Sequence, residues 1–321
     1  MNICALNNHY RDHYPVMLHE VVQSLALDKL DNATVIDATF GAGGYTKSLL
    51  LHPQVKVFAF DCDPSTKQYA DKLTLEFGKR FNYINSNFAN LAHEMSISDH
   101  NEVNGIVFDL GVSSMQLDHG ERGFSFSKEG PLDMRMSNTG KTAADLLAII
   151  DEEDLASIIK NYGEEQQAYR IANKIIEHRD RKPITTTTQL TEIIHSVKKR
   201  GGSKIDPATK TYQALRLAVN HELENLESSL EQAWKLLAPG GRMSVVCFHG
   251  LEERVLKKFI QKHQKPKVKI NKYRPPKNEF IGKSVLNLLG NKSVTPQTSE
   301  IEINPRSRSA SLRIMIKEVV S

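Results

Sequence analysis

A glycine-rich turn follows a short apolar segment near the start of the chain, and its residue types point to ligand binding. Residues 34–49 have the sequence TVIDATFGAGGYTKSL, which contains the pattern Asp37-x-Thr39-x-Gly41-x-Gly43-Gly44. Glycine has no Cβ, so the backbone can bend sharply there and a ligand can lie directly against it. A strand, a glycine turn and a helix in this order are typical of the first unit of a nucleotide-binding fold.

The spacing of the glycines fits neither of the two common phosphate-binding turns. A dinucleotide fingerprint needs G-x-G-x-x-G/A, and its sixth position here is Thr46. A Walker A loop needs Gly-Lys-Ser/Thr after the glycines, and that triplet does not follow them. The turn therefore favours a nucleoside that carries no phosphate.

Two acidic residues follow predicted strands, at the sheet edge where open α/β folds bind ligands. Asp61 lies about twenty residues after the turn, where such folds place an acid that binds ribose hydroxyls. The alternative is that Asp61, like Asp63, caps the next helix; we assign only Asp63 to the cap. Asp109 ends the fourth predicted strand.

A helix, a turn and a strand are predicted around the sequence LLAPGGRM (236–243). This combination is typical of S-adenosylmethionine-dependent methyltransferases of the Rossmann-like class. S-adenosyl-L-methionine has a ribose and an adenine but no phosphate, which agrees with the glycine turn. It is the cofactor that the sequence predicts.

Strand and helix patterns alternate on both sides of a long helical interval, which predicts an α/β fold with a mostly parallel, doubly wound sheet. Residues 111–220 are mostly polar and helical, far longer than an ordinary loop. We predict a Rossmann-like class I methyltransferase core in 1–117 and 210–321, and an inserted all-helical substrate-recognition domain in 118–209. The predicted strands are 34–37, 55–61, 81–85, 103–111, 242–248 and a final, antiparallel strand at 309–319.

Charge is unevenly distributed along the 321 residues. The segment from Arg254 to Lys292 holds twelve Lys or Arg and one acidic residue, Glu279. This segment has a net charge of +11, and the whole chain has a net charge of +4. The charges of the remaining residues therefore sum to −7. This basic strip indicates either a polyanionic partner or a solvated lysine-rich surface, and charge alone favours neither.

Cysteine usage and hydropathy bear on the compartment. The three cysteines show no CxxC spacing, and no apolar run reaches the roughly 20 residues of a membrane span. The first residues lack the pattern of a signal peptide. We therefore expect a cytoplasmic protein without a membrane partner.

Several long blocks together resemble the bacterial ribosomal RNA small-subunit methyltransferase H family, also called MraW. They occur in the family's order over nearly the whole chain. The blocks are HYPVML (13–18), DATFGAGGYT (37–46), DLGVSSMQLDHGERGFSFSKEGPLDMRM (109–136), GEE (163–165), PATKTYQALRLAVNHEL (207–223), CFHGLEERVLKKF (247–259) and NPRSRSASLR (304–313).

The resemblance implies a 16S rRNA (cytosine-N4)-methyltransferase. Its expected substrate is the N4 exocyclic amine of a cytidine in the decoding region of 16S rRNA, within the assembled or late-assembly small ribosomal subunit. The resemblance also implies S-adenosyl-L-methionine as methyl donor. The donor-binding residues that it implies are Gly43, Gly44, Tyr45, Asp61, Phe88, Asp109 and Gln116.

The residue types and spacing alone indicate the glycines, Asp61 and Asp109, but not Phe88 or Gln116. At Tyr45 the family usually has histidine. An aromatic ring such as Phe88 at the sheet edge can lie on the face of an adenine.

No catalytic base is assigned from the sequence. Asp109, Ser113 or Ser114 could accept a hydrogen bond from the amine. A loop with Arg122, Phe124, Phe126 and Arg135 could line a base pocket or pack the insertion onto the core, and the sequence favours neither.

His9, His13 and His19 match no familiar ligand spacing, so no metal site is predicted. Two other functions remain as alternatives. A nicotinamide dehydrogenase is disfavoured by Thr46 and the LAPGGRM block. An RNA-binding assembly factor with an inactive donor site is the non-enzymatic alternative.

Overall fold

The structure is a computed structural model that describes residues 15–199, 205–264, 284–290 and 292–319. The chain forms two compact units, of which the first comprises the residues up to Gly111 and from Asn225 onward. The second unit runs from Val112 to Glu224. Within the described ranges no helix is long and apolar enough to cross a membrane.

The first unit is built on a seven-stranded sheet with the order β3-β2-β1-β4-β5-β7-β6. Neighbouring strands are parallel, except that β7 runs antiparallel to β5 and to β6. The strand order reverses at β1, which pairs with β2 on one side and β4 on the other. The strands are β1 (Ala33–Asp37), β2 (Val55–Phe60), β3 (Phe81–Ile84), β4 (Val103–Asp109), β5 (Leu237–Cys247), β6 (Ser284–Leu288) and β7 (Ser311–Val319).

Successive side chains of a strand point to opposite faces of the sheet, and here the side chains on both faces are apolar. Helices therefore cover both faces. Val35, Val57 and Val107 belong to one core with α1, α2 and α3. Ile36 and Ile106 belong to the other, with α4, α11 and α12. The helices are α1 (Leu18–Ser24), α2 (Gly44–Leu50), α3 (Lys67–Phe77), α4 (Leu91–Ile97), α11 (Glu222–Leu236), α12 (Gly250–His263) and α13 (Thr298–Ile303).

The structure confirms the predicted mostly parallel, doubly wound sheet and the antiparallel final strand. The sequence missed β6, which lies at the far edge of the sheet and within the basic strip. It also placed a turn at residues 238–241, before the fifth strand. In the structure Val103 pairs with Leu237 and Gly105 pairs with Arg242. Residues 238–241 therefore form a bulge within an otherwise continuous β5.

The second unit is helical, with a core of its own. Leu155, Ile171, Leu190 and Leu215, which come from four different helices, are all fully buried in that core. The helices of this unit are α5 (Ser114–Asp118), α6 (Ala143–Ile149), α7 (Glu152–Gly163), α8 (Ala168–Arg179), α9 (Thr187–Val197) and α10 (Thr209–Asn220).

This unit is longer at both ends than the insertion expected at 118–209. Val112 and Leu117, at its start, pack against its core. At its other end the Lys210 ammonium donates to the Glu164 carbonyl at 2.7 Å, and the Gln213 amide donates to the Tyr162 carbonyl at 3.1 Å. The ends of the insertion are therefore set by tertiary packing, which local sequence patterns do not show.

The backbones of α7 and α10 approach closely at Gly163. A Cβ added to this glycine would lie 2.6 Å from the Lys210 carbonyl oxygen. We expect Gly163→Ala to destabilise the second unit by about 1–3 kcal/mol, since a packed backbone cannot move aside without cost. Chemical denaturation of the variant and the parent would measure this, and an unchanged midpoint would contradict the close approach.

The loop that holds Arg122 and Arg135 is fixed by its own hydrogen bonds. Arg135 forms a two-pronged ion pair with Asp133, with both nitrogen–oxygen distances at 2.8 Å. Arg122 donates to the carbonyls of Arg135 and Met136. Phe124 is buried in the core of the second unit, and Phe126 packs edge-on against Tyr212. These contacts hold the loop in place within the second unit.

Candidate active site

The glycine turn opens at the carboxyl end of β1 in a left-handed backbone conformation. Gly41 has φ +55° and Gly43 has φ +79°, values that favour glycine. A Cβ on Gly41 would meet nothing within 4 Å, whereas one on Gly43 would lie 2.8 Å from the Phe40 ring. Gly44 begins α2, and a Cβ there would overlap the Pro15 ring. The turn is thus packed from behind at Gly43 and Gly44 and open at Gly41.

Asp61, just after β2, is hydrogen-bonded to the turn. Its Oδ2 accepts from the Gly41 N–H at 2.7 Å, and its Oδ1 accepts from the Asp63 N–H at 2.8 Å. Burial is the largest influence on this carboxyl group and raises its pKa to about 7. Asp63 caps the following turn by accepting from the Ser65 N–H at 3.0 Å, as predicted.

Asp37 organises the turn from its first position. It is fully buried, and its Oδ2 accepts from the Thr46 hydroxyl at 2.7 Å. Its Oδ1 accepts from the Thr39 N–H at 3.2 Å. Burial raises the pKa of Asp37 to about 6 despite these bonds. Thr46, which excluded a dinucleotide turn in the sequence, therefore ties α2 back to β1.

Asp109 ends β4 next to the same turn. Its backbone N–H donates to the Thr39 hydroxyl at 2.7 Å. Its side-chain Oδ1 is buried and has no hydrogen-bond partner among the described residues. Burial, followed by repulsion from Asp37 and Glu252, raises the pKa of Asp109 to about 8. An uncompensated buried oxygen of this kind is costly, and a donor group on a ligand would satisfy it.

Tyr45 is buried, and its ring faces inward instead of lining an open surface. Its hydroxyl donates to the Val16 carbonyl and lies beside the Asp109 carboxyl group. The side chain thus links the Pro15–Met17 segment, the turn and β4.

Phe88 lies after β3, at the start of a short helical turn. Its ring is half-buried and packs edge-on against Phe108, with ring centroids 5.9 Å apart. Asn87 caps the turn by accepting from the Ala89 N–H at 2.8 Å. The ring is therefore held at the same carboxyl edge of the sheet as the acidic residues.

Gln116 belongs to the second unit and caps a helix there. Its Oε1 accepts from the Ser113 N–H at 3.0 Å, while its own N–H donates to the Ser113 hydroxyl at 3.2 Å. The first unit therefore holds six of the seven predicted donor-binding residues, and the second holds the seventh. That these seven bind the donor stays a prediction.

Sequence reasoning missed three side chains that support the site. The Thr39 hydroxyl accepts from the Asp109 N–H, and the Thr46 hydroxyl donates to the Asp37 carboxyl group. Both threonines lie within the quoted stretch 34–49, so the spacing of this stretch was the available signal. Glu300 accepts from the Met17 N–H at 2.8 Å and lies close enough to raise the pKa of Asp109. No local pattern marks Glu300, because its partner lies 283 residues away in the chain.

The raised pKa values predict a pH dependence of stability for the donor-free protein. An unfolded aspartate ionises near 3.8, whereas Asp37, Asp61 and Asp109 stay protonated in the folded state to about 6, 7 and 8. The folded state then binds more protons, so the free energy of unfolding falls as pH rises from about 5 to about 8. Thermal unfolding across this range should show that fall, with a shallower slope above about pH 7 for Asp109→Asn. An identical slope in the variant would contradict the assignment.

Only part of the basic strip lies within the described residues. Residues 265–283 and Asn291 are outside them. On α12, Arg254, Lys258 and Lys262 are exposed and spaced four residues apart, so they share one face of the helix. Lys262 also pairs with Glu231 at 2.8 Å.

His19 is the one member of the histidine set within the described residues, since His9 and His13 lie outside them. Among the side chains that the structure places, no group of three His, Cys, Asp or Glu is arranged to hold a metal ion.

Comparison with known proteins identifies the family. The family model described as "MraW methylase family" matches residues 10–318 of this chain. The chain belongs to the MraW methylase family. This confirms the resemblance seen in the sequence and S-adenosyl-L-methionine as the cofactor.

Individual relatives agree with the family model. The chain is 43% identical over 306 residues to the Ribosomal RNA small subunit methyltransferase H of Caulobacter vibrioides, with 95% of each chain covered. It is 44% identical over 309 residues to the protein of that name from Orientia tsutsugamushi, covering 95% of this chain and 98% of that one. Among solved structures, an rRNA methylase from Streptococcus thermophilus aligns with a TM-score of 0.43 and 13% identity, over 96% and 99% of the two chains.

Membership of the MraW methylase family makes the protein a methyltransferase and disfavours the dehydrogenase alternative. The site agrees with this, since the turn that would meet a pyrophosphate lacks the third glycine and has no phosphate-binding lysine. The residues present fit a nucleoside donor: an open glycine, an acid after β2 and an unsatisfied buried oxygen at the end of β4.

Proposed function

We propose that this protein is a 16S rRNA (cytosine-N4)-methyltransferase, which methylates the exocyclic amine of a cytidine in the decoding region. The observation that carries the proposal is the 43% identity, over 95% of both chains, to a Ribosomal RNA small subunit methyltransferase H. The choice of the cytidine N4 comes from the resemblance of the seven quoted sequence blocks to that family.

The donor site that we propose consists of Gly43, Gly44, Tyr45, Asp61, Phe88, Asp109 and Gln116. S-adenosyl-L-methionine, when bound, supplies an electrophilic methyl group on a sulfonium. Asp61 is positioned to accept from ribose hydroxyls while it holds the Gly41 N–H. Asp109 offers its unpartnered Oδ1 to a donor group of the ligand.

The acceptor amine is a weak nucleophile, because its lone pair is delocalised into the cytosine ring. The protein therefore contributes mainly alignment, and it must hold the base out of its stack. Of the three hydrogen-bond acceptors considered from the sequence, Ser113 already uses its hydroxyl to cap α5. We assign no catalytic base.

The partner that we propose is 16S rRNA within the assembled or late-assembly small subunit, met in the cytoplasm. The exposed basic face of α12 would neutralise phosphates of this RNA. Because neutralised phosphates release counterions, binding to the subunit should weaken steeply as salt increases.

Nucleoside mass spectrometry of small-subunit RNA tests the proposal. RNA from cells that carry the gene should contain N4-methylated cytidine at a decoding-region position, and RNA from cells that lack it should not. Complementation with the parent gene should restore the modification. An unchanged content of N4-methylated cytidine after deletion would refute the proposed function.

A further inference from the structure

Phe248 lies at the carboxyl end of β5, beside the site but outside the donor-binding set. β4 and β5 are parallel, with Asp109 opposite Val246. Continuing this register two residues further places Gly111 opposite Phe248. A Cβ on Gly111 would lie 3.8 Å from the Phe248 ring, at van der Waals contact, so the two residues are neighbours at this edge of the sheet.

Alternation along the strands places Phe248 on the same face of the sheet as the Asp109 side chain. Val107 and Val246 both belong to the core beneath α1–α3, and Phe248 packs against that same core. Residues two apart in a strand share a face, so Asp109 follows Val107 and Phe248 follows Val246. The Phe248 ring is half-buried, which leaves part of it accessible.

A buried carboxylate fixes the backbone at Phe248. Glu252 is only 3% exposed, and its Oε2 accepts from the N–H groups of Phe248 at 2.7 Å and His249 at 3.2 Å. His249 in turn caps α12 and lies 3.1 Å from the other Glu252 oxygen. A carboxylate is costly to bury. The hydrogen bonds that Glu252 accepts offset this cost, and they hold the backbone at Phe248 in one conformation.

We propose that Phe248 is the platform on which the base of the methyl acceptor stacks. The inference rests on the proposed function and deepens it. The predicted donor-binding residues of the first unit follow β1, β2 and β3 or end β4, and Phe248 presents a flat apolar surface directly after β5, the next strand of the sheet. Phe88, the aromatic residue assigned to the donor, packs against the opposite core. An extruded cytosine needs such a surface, and aromatic side chains supply it.

Steady-state kinetics of Phe248→Leu test the proposal, with small subunits from a deletion strain as substrate. Leucine keeps the apolar packing but removes the ring, so kcat/KM for the subunit should fall about 10- to 100-fold. The Kd for S-adenosylhomocysteine should stay within about twofold, and Phe248→Tyr should restore most of the activity. Phe88→Leu is the reciprocal control, and it should weaken S-adenosylhomocysteine binding instead.

A second measurement does not depend on methyl transfer. Pyrrolo-cytidine, a fluorescent nucleoside, is titrated into the protein loaded with S-adenosylhomocysteine. Stacking should quench its fluorescence with the parent and with Phe248→Tyr, but not with Phe248→Leu. Equal quenching by parent and Phe248→Leu, no quenching by the parent, or unchanged kinetics in Phe248→Leu would overturn the proposal. Quenching that depends on Phe248, without methylation of small-subunit RNA, would instead refute the proposed function alone.

Discussion

Replacing Asp61 with alanine is expected to lower the affinity for S-adenosylhomocysteine by about 100-fold or more. The substitution removes the acceptor for the Gly41 N–H, so the turn loses its bond to the Asp61 side chain, and it removes the acceptor for the Asp63 N–H in the loop after β2. It also removes the oxygen that we assign to the ribose. Each hydrogen bond to a charged or partly charged group contributes about 1.5–3 kcal/mol, so the loss of the two bonds that one carboxyl group can make to a ribose diol accounts for a fall of this size. Isothermal titration calorimetry measures the change.

Asp63→Ala is the matched control, because this neighbouring aspartate lies on the same loop. Its side chain caps the turn at Ser65, so its loss should cost about 1 kcal/mol of stability. Its own N–H still bonds to Asp61, and donor affinity should be nearly unchanged. Equal losses of affinity in the two variants would show that Asp61 acts only through loop stability.

Gly44→Ala is expected to destabilise the protein by about 1–3 kcal/mol and to weaken donor binding with it. The added methyl group would overlap the Pro15 ring, which forces either the Pro15–Met17 segment or the glycine turn to move. Tyr45 would move as well, and its hydroxyl donates to the Val16 carbonyl and lies beside the Asp109 carboxyl group. Thermal unfolding and calorimetry with S-adenosylhomocysteine report the two effects.

Gly250→Ala provides the comparison, since both glycines are the first residue of a helix. A Cβ on Gly250 would meet nothing within 4 Å, and the residue is exposed. Alanine should therefore leave stability unchanged or raise it by up to about 1 kcal/mol. If Gly44→Ala behaved like Gly250→Ala, the close packing behind the turn would be wrong.

The sheet could be predicted because its signals are local. Apolar runs such as 55–60 mark strands that are buried on both faces, and their alternation with helices indicates parallel pairing. The same reasoning placed Asp61 and Asp109 at the carboxyl edge. β6 escaped it because a five-residue edge strand within a basic stretch has no clear pattern.

The chemistry of the site depends on contacts that the sequence does not encode locally. The unpartnered oxygen of Asp109 and its raised pKa arise from burial beside Asp37 and Glu252. The inward-facing Tyr45 depends on the Pro15–Met17 segment, which lies 29 residues before it at Val16. Phe88 and Gln116 followed from the family resemblance alone, because an aromatic and an amide in loops carry no distinctive spacing.

Reconstituted methyl transfer tests the central claim most directly. Purified protein is incubated with S-adenosyl-L-methionine labelled in its methyl group and with small subunits from a strain that lacks the gene. Mass spectrometry of the digested RNA should find the label in N4-methylated cytidine of 16S rRNA, and Asp61→Ala should greatly reduce it. Label in another nucleoside, or no label in 16S rRNA with active parent protein, would contradict the account.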